Sequence, residues 1–171
     1  RNTQVAYGGI TEHQSAGGLA QAISSGVKFI NVSPIKADLP DHPSSQWQAC
    51  RPGTDVALML ALAYVLETET LVAREFLDSH CSGYDLFRKY LLGHEDGTAK
   101  TPQWAEKICS VSAEEITSLA RRLVKQRTFM TAAWSLQRAH HGEQPYWMLV
   151  TLAAMLGQIG LPGGGFGFGY G

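Results

Sequence analysis

The chain carries the stretch Val27-Lys28-Phe29-Ile30-Asn31-Val32, which is short, apolar and rich in β-branched residues, and Ser33-Pro34 follows it. Such a run is typical of a buried strand in a parallel sheet. Upstream, Glu12 to Ser25 has helical spacing of small and apolar residues, and Gly26 stands where a C-cap glycine belongs. With a further strand at Gln4 to Tyr7, the strand–helix–strand order predicts a right-handed βαβ crossover and an α/β fold with a parallel sheet flanked by helices.

The rest of the chain is predicted to be mostly helical. A strongly apolar helix is expected over Thr54 to Leu66, with Thr54 or Asp55 as its N-cap. Further helices are predicted over Thr70 to Ser79, over Asp85 to Leu92, from the Ser112–Glu115 capping box to about Lys125, and over Gln144 to Gly157. A second buried strand is predicted over Thr128 to Trp134, a loop over Ala37 to Cys50, and a polar turn over Gly93 to Thr101.

Length and composition indicate one ordinary domain spanning residues 1–171, with a glycine-rich tail at 162–171. The chain is 44% hydrophobic and 17% charged, which predicts a folded core. Its 14 basic and 15 acidic residues form no basic stripe, so no nucleic-acid partner is expected. The longest apolar segment, Trp147 to Leu161, is shorter than the roughly 20 residues of a bilayer span, so no transmembrane segment is expected. The absence of a methionine at Arg1 and the glycine-rich run at the other end predict that both ends are cuts within a longer protein.

The spacing of the cysteines and histidines along the sequence is not typical of a metal site. Cys50, Cys81 and Cys109 are widely spaced, which favours buried thiols over metal ligands or disulfides. The neighbouring side chains of His140 and His141 diverge, and no carboxylate or thiol completes a ligand set. No nucleophile elbow supports a hydrolase.

Ligands of parallel sheets bind beyond the carboxyl ends of strands, so the segments that follow the strands are the candidate sites. Ser33 and Pro34 follow the first buried strand, where a ribose or phosphate could bind, although the residues alone favour a simple strand exit. Arg51-Pro52-Gly53-Thr54-Asp55 opens an apolar helix, whose free N–H groups suit an anion. Asp55 could accept the adjacent N–H donors of guanine, and the alternative is an ordinary helix cap.

The stretch from Trp134 to Gln144 contains an aromatic ring, several amides, a guanidinium and two imidazoles. Such groups are costly to bury without partners, so they pair with one another or a polar ligand completes them. The glycine-rich run from Leu161 to Gly169 follows a helix, whereas a dinucleotide fingerprint follows a strand. A nicotinamide-dehydrogenase function is therefore not favoured.

Four blocks, in order along the chain, resemble one family of enzymes. They are Arg51 to Ala61, Lys100 to Ala105, Trp134 to Trp147 (W-S-L-Q-R-A-H-H-G-E-Q-P-Y-W), and Met155 to Gly165. The chain is similar to the dimethyl-sulfoxide reductase family of molybdopterin oxidoreductases, in its soluble, single-subunit branch of trimethylamine-N-oxide, dimethyl-sulfoxide and biotin-sulfoxide reductases. The resemblance implies a Rossmann-like third domain that holds one molybdopterin guanine dinucleotide.

The resemblance also implies the properties of the whole enzyme. Such enzymes hold one molybdenum between two molybdopterin guanine dinucleotides and reduce S-oxides or N-oxides by oxygen-atom transfer. Their partners are the remaining domains, a small oxide substrate and, for some, a c-type cytochrome donor. Most are periplasmic, and the biotin-sulfoxide type is cytoplasmic. This piece by itself is expected to bind no cofactor and to catalyse nothing.

Carried over by position, the resemblance assigns roles to nine residues. The cofactor-binding candidates are Ser33, Pro34, Pro52, Gly53, Asp55, Gln137 and Gly142, with Asp55 assigned to guanine. The catalytic candidates are Trp134, as an apolar wall with an N–H donor, and Arg138, whose guanidinium would polarise the S=O or N–O oxygen. No residue here is expected to ligate the metal.

Two departures from the family pattern stand out. The family has Asn or Asp where Ser33 stands, and its serine ligand of molybdenum has no counterpart in this sequence. An alternative of another class is a non-catalytic nucleotide-binding or protein-interaction domain on the same α/β frame, because a fold alone does not determine function.

Overall fold

The computed structural model describes residues 15–167, which form seven helices and four short strands within that range. The helices are α1 Ser15–Ser24, α2 Asp55–Thr68, α3 Arg74–His80, α4 Tyr84–Leu91, α5 Pro102–Cys109, α6 Ala113–Leu123 and α7 Gln144–Met155. The strands are β1 Phe29–Val32, β2 Ser45–Gln48, β3 Phe129–Met130 and β4 Gly165–Phe166. Single 3₁₀ turns lie at Lys36–Asp38 and Trp134–Arg138. The predicted strand at Gln4 to Tyr7, the start of the first predicted helix and residues 168–171 lie outside the described residues.

Helix α2 is the centre of the core. It is apolar around its whole circumference, and it packs against α4, α5, α6 and α7. The side chains it buries are Ala57, Leu58, Leu60, Ala61, Leu62, Ala63, Val65 and Leu66. A helix that is apolar all round is stable only when it is covered on every side, and this bundle supplies that cover. The prediction of a strongly apolar helix at this position is confirmed.

The amino ends of α5 and α6 are capped by the side chains of the residues that precede them. The Thr101 hydroxyl accepts a hydrogen bond from the Trp104 amide at 3.1 Å, and Pro102 occupies the first turn of α5. At α6, the predicted capping box is confirmed: the Ser112 hydroxyl accepts from the Glu115 amide, and the Glu115 carboxylate accepts from the Ser112 amide. The polar turn predicted before Thr101 is present, but α5 itself was not predicted.

That polar turn is held by a buried lysine. The Lys100 side chain is only 2% exposed, and its ammonium lies 2.6 Å from an Asp96 carboxylate oxygen. It also donates to the Thr98 carbonyl and lies 4.2 Å from the centre of the Tyr90 ring. The nearby ammonium holds the pKa of the Asp96 carboxyl below its usual value. The loop between α4 and α5 is thus closed around one charged group.

Helix α2 ends later than predicted, and helix α3 begins later than predicted. The backbone turns left-handed at Thr70, with φ of 57°, and the Leu71 amide bonds back to the Leu66 carbonyl, so α2 ends there. Helix α3 therefore starts at Arg74 rather than at Thr70, whereas α4 and α7 lie close to their predicted positions. Among the helices of residues 15–167, none combines the length and the apolar composition that a transmembrane span requires.

The strands of the described range form two separate parallel pairs, β1 with β2 and β3 with β4. The prediction of an uninterrupted loop over Ala37 to Cys50 is wrong, because β2 lies inside it and pairs with β1. Strand β4 likewise lies in the run that was predicted to be glycine-rich tail. The polar and glycine-rich sequences of these strands give no periodic signal, and their pairing is formed by backbone groups.

Neither predicted buried strand is fully covered. Val32 is 38% exposed at the end of β1. The second predicted strand shortens to Phe129–Met130, and Phe129 and Trp134 are 56% and 52% exposed. The burial prediction is therefore wrong in these places, because in the described range each pair of strands lacks the helical layers that cover both faces of a larger parallel sheet.

Candidate functional site

The carboxyl ends of β1 and β2 bring two of the three predicted site segments together. The two strands are parallel, with Val32 opposite Gln48, and the Ser33 amide donates to the Gln48 carbonyl at 3.2 Å. Ser33-Pro34 and the turn that leads into α2 therefore leave the sheet at the same edge. We call this edge, made of residues 33–34 and 48–55, the strand-end edge.

Ser33 is buried at this edge, and its hydroxyl already has two partners. It donates to an Asp38 carboxylate oxygen at 2.5 Å and accepts from the Ile35 amide at 3.1 Å. The Ser33 carbonyl accepts from the Trp47 indole at 2.8 Å. These bonds close the turn after β1 and fix its shape.

The turn before α2 leaves backbone N–H groups at the amino end of that helix without acceptors. Gly53 adopts a left-handed backbone with φ of 75°, a conformation that other residues rarely take. The Thr54 hydroxyl turns back to donate to the Arg51 carbonyl at 2.6 Å, so it does not cap the helix. Among the described residues, the Asp55 and Val56 amides have no backbone acceptor. The first turn of α2 thus presents free N–H groups with positive dipole character.

The Asp55 side chain stands at this open end. It is partly buried, and it makes no ion pair or hydrogen bond with any residue in the range 15–167. A carboxylate at the first turn of a helix is favourable toward the dipole and has both oxygens available as acceptors. Asp55 could therefore accept two adjacent N–H donors from a ligand.

Cys50, directly before this turn, is buried in the hydrophobic core. Burial raises the pKa of its thiol from 9.0 to about 11, against a smaller opposing effect of the bond to Thr54. The Arg51 amide next to it donates to the Cys109 carbonyl at 3.0 Å, which ties the turn to the end of α5. The turn is therefore anchored on the core, and the cysteine prediction of buried thiols is confirmed for Cys50 and Cys109, whereas Cys81 is half-buried.

Gln48 is a residue of this edge that the sequence did not reveal. Its side chain is 3% exposed, and its Nε2 is buried with no hydrogen-bond partner. An unpaired buried amide costs about 1–3 kcal/mol, so it is a donor for which an acceptor is missing. Nothing in the local sequence distinguishes Gln48 from Gln46, because its burial depends on the pairing of β2 with β1.

The third predicted segment, residues 134–142, follows β3 and so belongs to the other strand pair. Its 3₁₀ turn starts with the Leu136 amide donating to the Ala133 carbonyl, and it is tied to α7 by the Tyr146 hydroxyl, which donates to the same carbonyl at 2.8 Å. The side chains of Gln137 and Arg138 are exposed. The structure therefore places Trp134, Gln137 and Arg138 on a surface loop that is separate from the strand-end edge.

Gly142 closes this loop, and only glycine fits there. A Cβ at this position would lie 2.5 Å from the Gln137 carbonyl oxygen, inside any real contact distance. The preceding residue, His141, has φ of 56°, which is uncommon for a residue with a side chain. Two constrained residues in succession indicate a loop with a defined shape.

The paired histidines have partners other than a metal. The predicted divergence of the His140 and His141 side chains is wrong, because the centres of their rings lie 3.9 Å apart. His141 Nδ1 is 3.7 Å from a Glu143 carboxylate oxygen. No group of three or more metal-ligating side chains occurs within residues 15–167.

Comparison with known proteins matches this chain to characterised enzymes. The family model described as molybdopterin oxidoreductase matches residues 12–170. The chain is 48% identical over 94% of its length to the dimethyl sulfoxide/trimethylamine N-oxide reductase of Cereibacter sphaeroides, covering 20% of that protein. It is 46% identical over its full length to the biotin sulfoxide reductase of the same organism, covering 23% of it. It is 47% identical over 89% of its length to the trimethylamine-N-oxide reductase of Salmonella typhi, covering 18% of it.

A solved structure has the same fold. Acetylene hydratase from Pelobacter acetylenicus superimposes with a TM-score of 0.64 over 83% of this chain and 19% of that one, at 22% sequence identity. The chain spans about a fifth of the length of the curated relatives it matches. A family model that covers nearly the whole chain, with relatives close to half identical, shows that the chain belongs to the molybdopterin oxidoreductase family.

Proposed function

We propose that this chain is the part of an S-oxide or N-oxide reductase that holds one molybdopterin guanine dinucleotide, on a Rossmann-like α/β frame. The observation that carries the proposal is the open amino end of α2 beside Asp55, at the edge where β1 and β2 end. The names of the relatives, which are dimethyl sulfoxide, trimethylamine-N-oxide and biotin sulfoxide reductases, support the class of substrate.

The donor set at the strand-end edge fits such a cofactor. The free N–H groups of the first turn of α2 suit a phosphate, and Gly53 has open space where a side chain would stand. The Asp55 carboxylate accepts the N1–H and exocyclic N–H of guanine, a pair of donors that adenine does not present. Ser33 and Pro34 give the neighbouring turn its shape, because the Ser33 hydroxyl is already bonded within that turn. Pro52 stiffens the entry to α2.

The loop at residues 134–142 lies on the substrate side of the proposed site. In the complete enzyme, the molybdenum supplies the two-electron change that oxygen-atom transfer requires. The guanidinium of Arg138 donates hydrogen bonds to the oxide oxygen and stabilises negative charge that develops there. Trp134 forms an apolar wall, and the Gln137 side chain and the Gly142 carbonyl offer hydrogen bonds to the pterin, since the Gly142 amide already donates to the Ala139 carbonyl.

Purification of the longer polypeptide that contains this chain tests the proposal. We expect molybdenum by elemental analysis and, after acid treatment, two guanine nucleotides for each molybdenum. A protein that is purified with other metals but without molybdenum would contradict the assignment. Molybdenum without guanine nucleotide would contradict the dinucleotide form and leave Asp55 without its proposed ligand.

A further inference from the structure

The Gln158 side chain bonds to the start of β3 in the way a neighbouring strand would. Its Oε1 accepts from the Thr128 amide at 2.6 Å, and its Nε2 donates to the Gln126 carbonyl at 3.1 Å. In a parallel sheet, one residue bonds to an amide and a carbonyl of the adjacent strand that lie two residues apart. The Gln158 carboxamide therefore takes the place of a strand residue beside Arg127, just before β3 begins.

The glycine-rich turn that leads into β4 is fastened to the same place. The Arg127 guanidinium donates to the Pro162 carbonyl at 2.9 Å. Gly164 and Gly165 pack against the Gln158 backbone, since an added Cβ at either position would lie 3.1 Å from the Gln158 carbonyl oxygen. Backbone pairing of β3 with β4 begins directly after these contacts. We call the side chains of Gln158 and Arg127 the β3 clamp.

Strand β3 depends on this clamp because it is short. Its ladder with β4 has two paired positions, and the Gly167 amide adds one further bond to the Met130 carbonyl at 3.0 Å. Phe129 is 56% exposed, so burial contributes little to holding the strand. An isolated pair of short strands is only marginally stable. The side-chain bonds at the start of β3 therefore contribute a large part of its placement.

The placement of β3 determines where the loop at residues 134–142 lies. Four residues after the end of β3 at Met130, the chain reaches Trp134, which begins this loop. The Tyr146 hydroxyl on the first turn of α7 donates to the Ala133 carbonyl. Gln158 lies three residues after the other end of α7. The segment from Gln126 to Ala133 is thus bonded near both ends of α7, and loss of the bonds to Gln158 frees one of them.

We propose that Gln158 is a positioning residue, which acts through β3 on the placement of Arg138. This inference rests on the proposed function, because Arg138 lies on the proposed substrate side. The guanidinium can stabilise charge on an oxide oxygen only from hydrogen-bonding distance. A displacement of about 1 Å at a reacting centre can lower a rate about 100-fold, so small shifts of the loop affect the reaction.

The variant that tests the proposal is Gln158→Met in the longer polypeptide that contains this chain. Methionine is unbranched and similar in length to glutamine, but it cannot donate to the Gln126 carbonyl and is only a weak acceptor for the Thr128 amide. Gln103→Met is the matched control, because Gln103 is exposed on α5. Gln158→Glu is the conservative variant, since it keeps an acceptor for the Thr128 amide.

Hydrogen exchange followed by mass spectrometry reports on the loop without any reaction. In Gln158→Met, we expect the amides of residues 131–138 to exchange at least about tenfold faster, and in the control we expect no change. Gln158→Glu should restore most of the protection. Faster exchange confined to residues 127–130 would overturn the proposal, because the bonds of Gln158 would then have only a local effect. If Gln158→Met does not fold, Arg127→Met removes the other half of the clamp and should accelerate exchange of the same residues.

The kinetics of oxide reduction separate positioning from a general loss of structure. We expect Gln158→Met to lower kcat/KM about tenfold with unchanged molybdenum content. In an Arg138→Leu background, the same substitution should cause less than about a twofold further loss, because the group that it positions is already gone. Equal tenfold losses in both backgrounds would reject action through Arg138. An unaltered polypeptide without molybdenum would instead refute the proposed function, and hydrogen exchange would still decide whether Gln158 holds the loop.

Discussion

Replacing Gly142 with alanine probes the geometry of the loop at residues 134–142. The new Cβ would lie 2.5 Å from the Gln137 carbonyl oxygen and 2.6 Å from the Gln137 Cα and carbonyl carbon. Ordinary contact begins at 3.4 Å, so the two segments must separate by about 0.9 Å. All three obstructing atoms belong to the backbone, so no side-chain rotation relieves the clash and the 3₁₀ turn itself must move.

The cost follows from the overpacking of well-packed structure, which is about 1–3 kcal/mol. In a chain of 171 residues, 1 kcal/mol shifts the melting temperature by about 2–4 °C, so we expect that of Gly142→Ala to fall by about 2–12 °C. Thermal unfolding followed by circular dichroism measures the change. The matched control is Gly17→Ala, because Gly17 lies inside α1 with nothing within 4 Å of an added Cβ. Alanine should stabilise that helix by up to about 1 kcal/mol.

The comparison of the two glycine variants decides the interpretation. A Gly142→Ala chain that melts at or above the temperature of the unaltered chain would show that the close approach to Gln137 does not exist in solution. A fall of equal size in both variants would indicate a general sensitivity to glycine replacement. Either result would refute the view that this loop has a single constrained shape.

Three further predictions concern a buried charge, a buried thiol and the substrate side. Lys100→Ala should destabilise the chain by about 2–4 kcal/mol, since it removes a buried stem and the ion pair with Asp96, whereas the exposed Lys107→Ala should change stability by less than about 0.5 kcal/mol in the same urea titration. Burial raises the pKa of the Cys50 thiol to about 11, so the folded state keeps this proton at a pH where the unfolded state loses it. About 2–3 kcal/mol of the free energy of unfolding should therefore be lost between pH 9 and 11. Cys50→Ala should remove this pH dependence, and a slope that persists in the variant would assign it to other groups. In the longer polypeptide, Arg138→Leu should lower kcat/KM for the oxide about 100-fold with unchanged molybdenum content, and unchanged kinetics or lost molybdenum would reject its role.

Local signals in the sequence were sufficient for most helices. The apolar circumference of α2 and the Ser112–Glu115 capping box are properties of neighbouring residues, and both appear in the structure as predicted. The sequence analysis does not predict helix α5, although Thr101 and Pro102 form a recognisable start, because the polar segment before it favours a turn. Helix boundaries set by local chemistry are thus the part of this fold that can be predicted.

Features that depend on distant parts of the chain could not be predicted. Strands β2 and β4 are formed by backbone pairing with residues that are 16 and 36 positions away, Phe29 with Ser45 and Phe129 with Gly165, and their own sequences are polar or glycine-rich. The burial of Gln48 follows from the first of these pairings. The resemblance to a known family located the candidate residues, but only the structure shows that they lie in two places, the strand-end edge and the loop after β3.

We propose that Asp55 and the open first turn of α2 hold a guanine nucleotide. The most direct test of this claim is the guanine nucleotide released from the longer polypeptide carrying Asp55→Ala, compared with Asp78→Ala, which removes an exposed carboxylate on α3. We predict that nucleotide content falls several-fold in Asp55→Ala and is unchanged in Asp78→Ala. Full nucleotide content in a folded Asp55→Ala protein would contradict the claim.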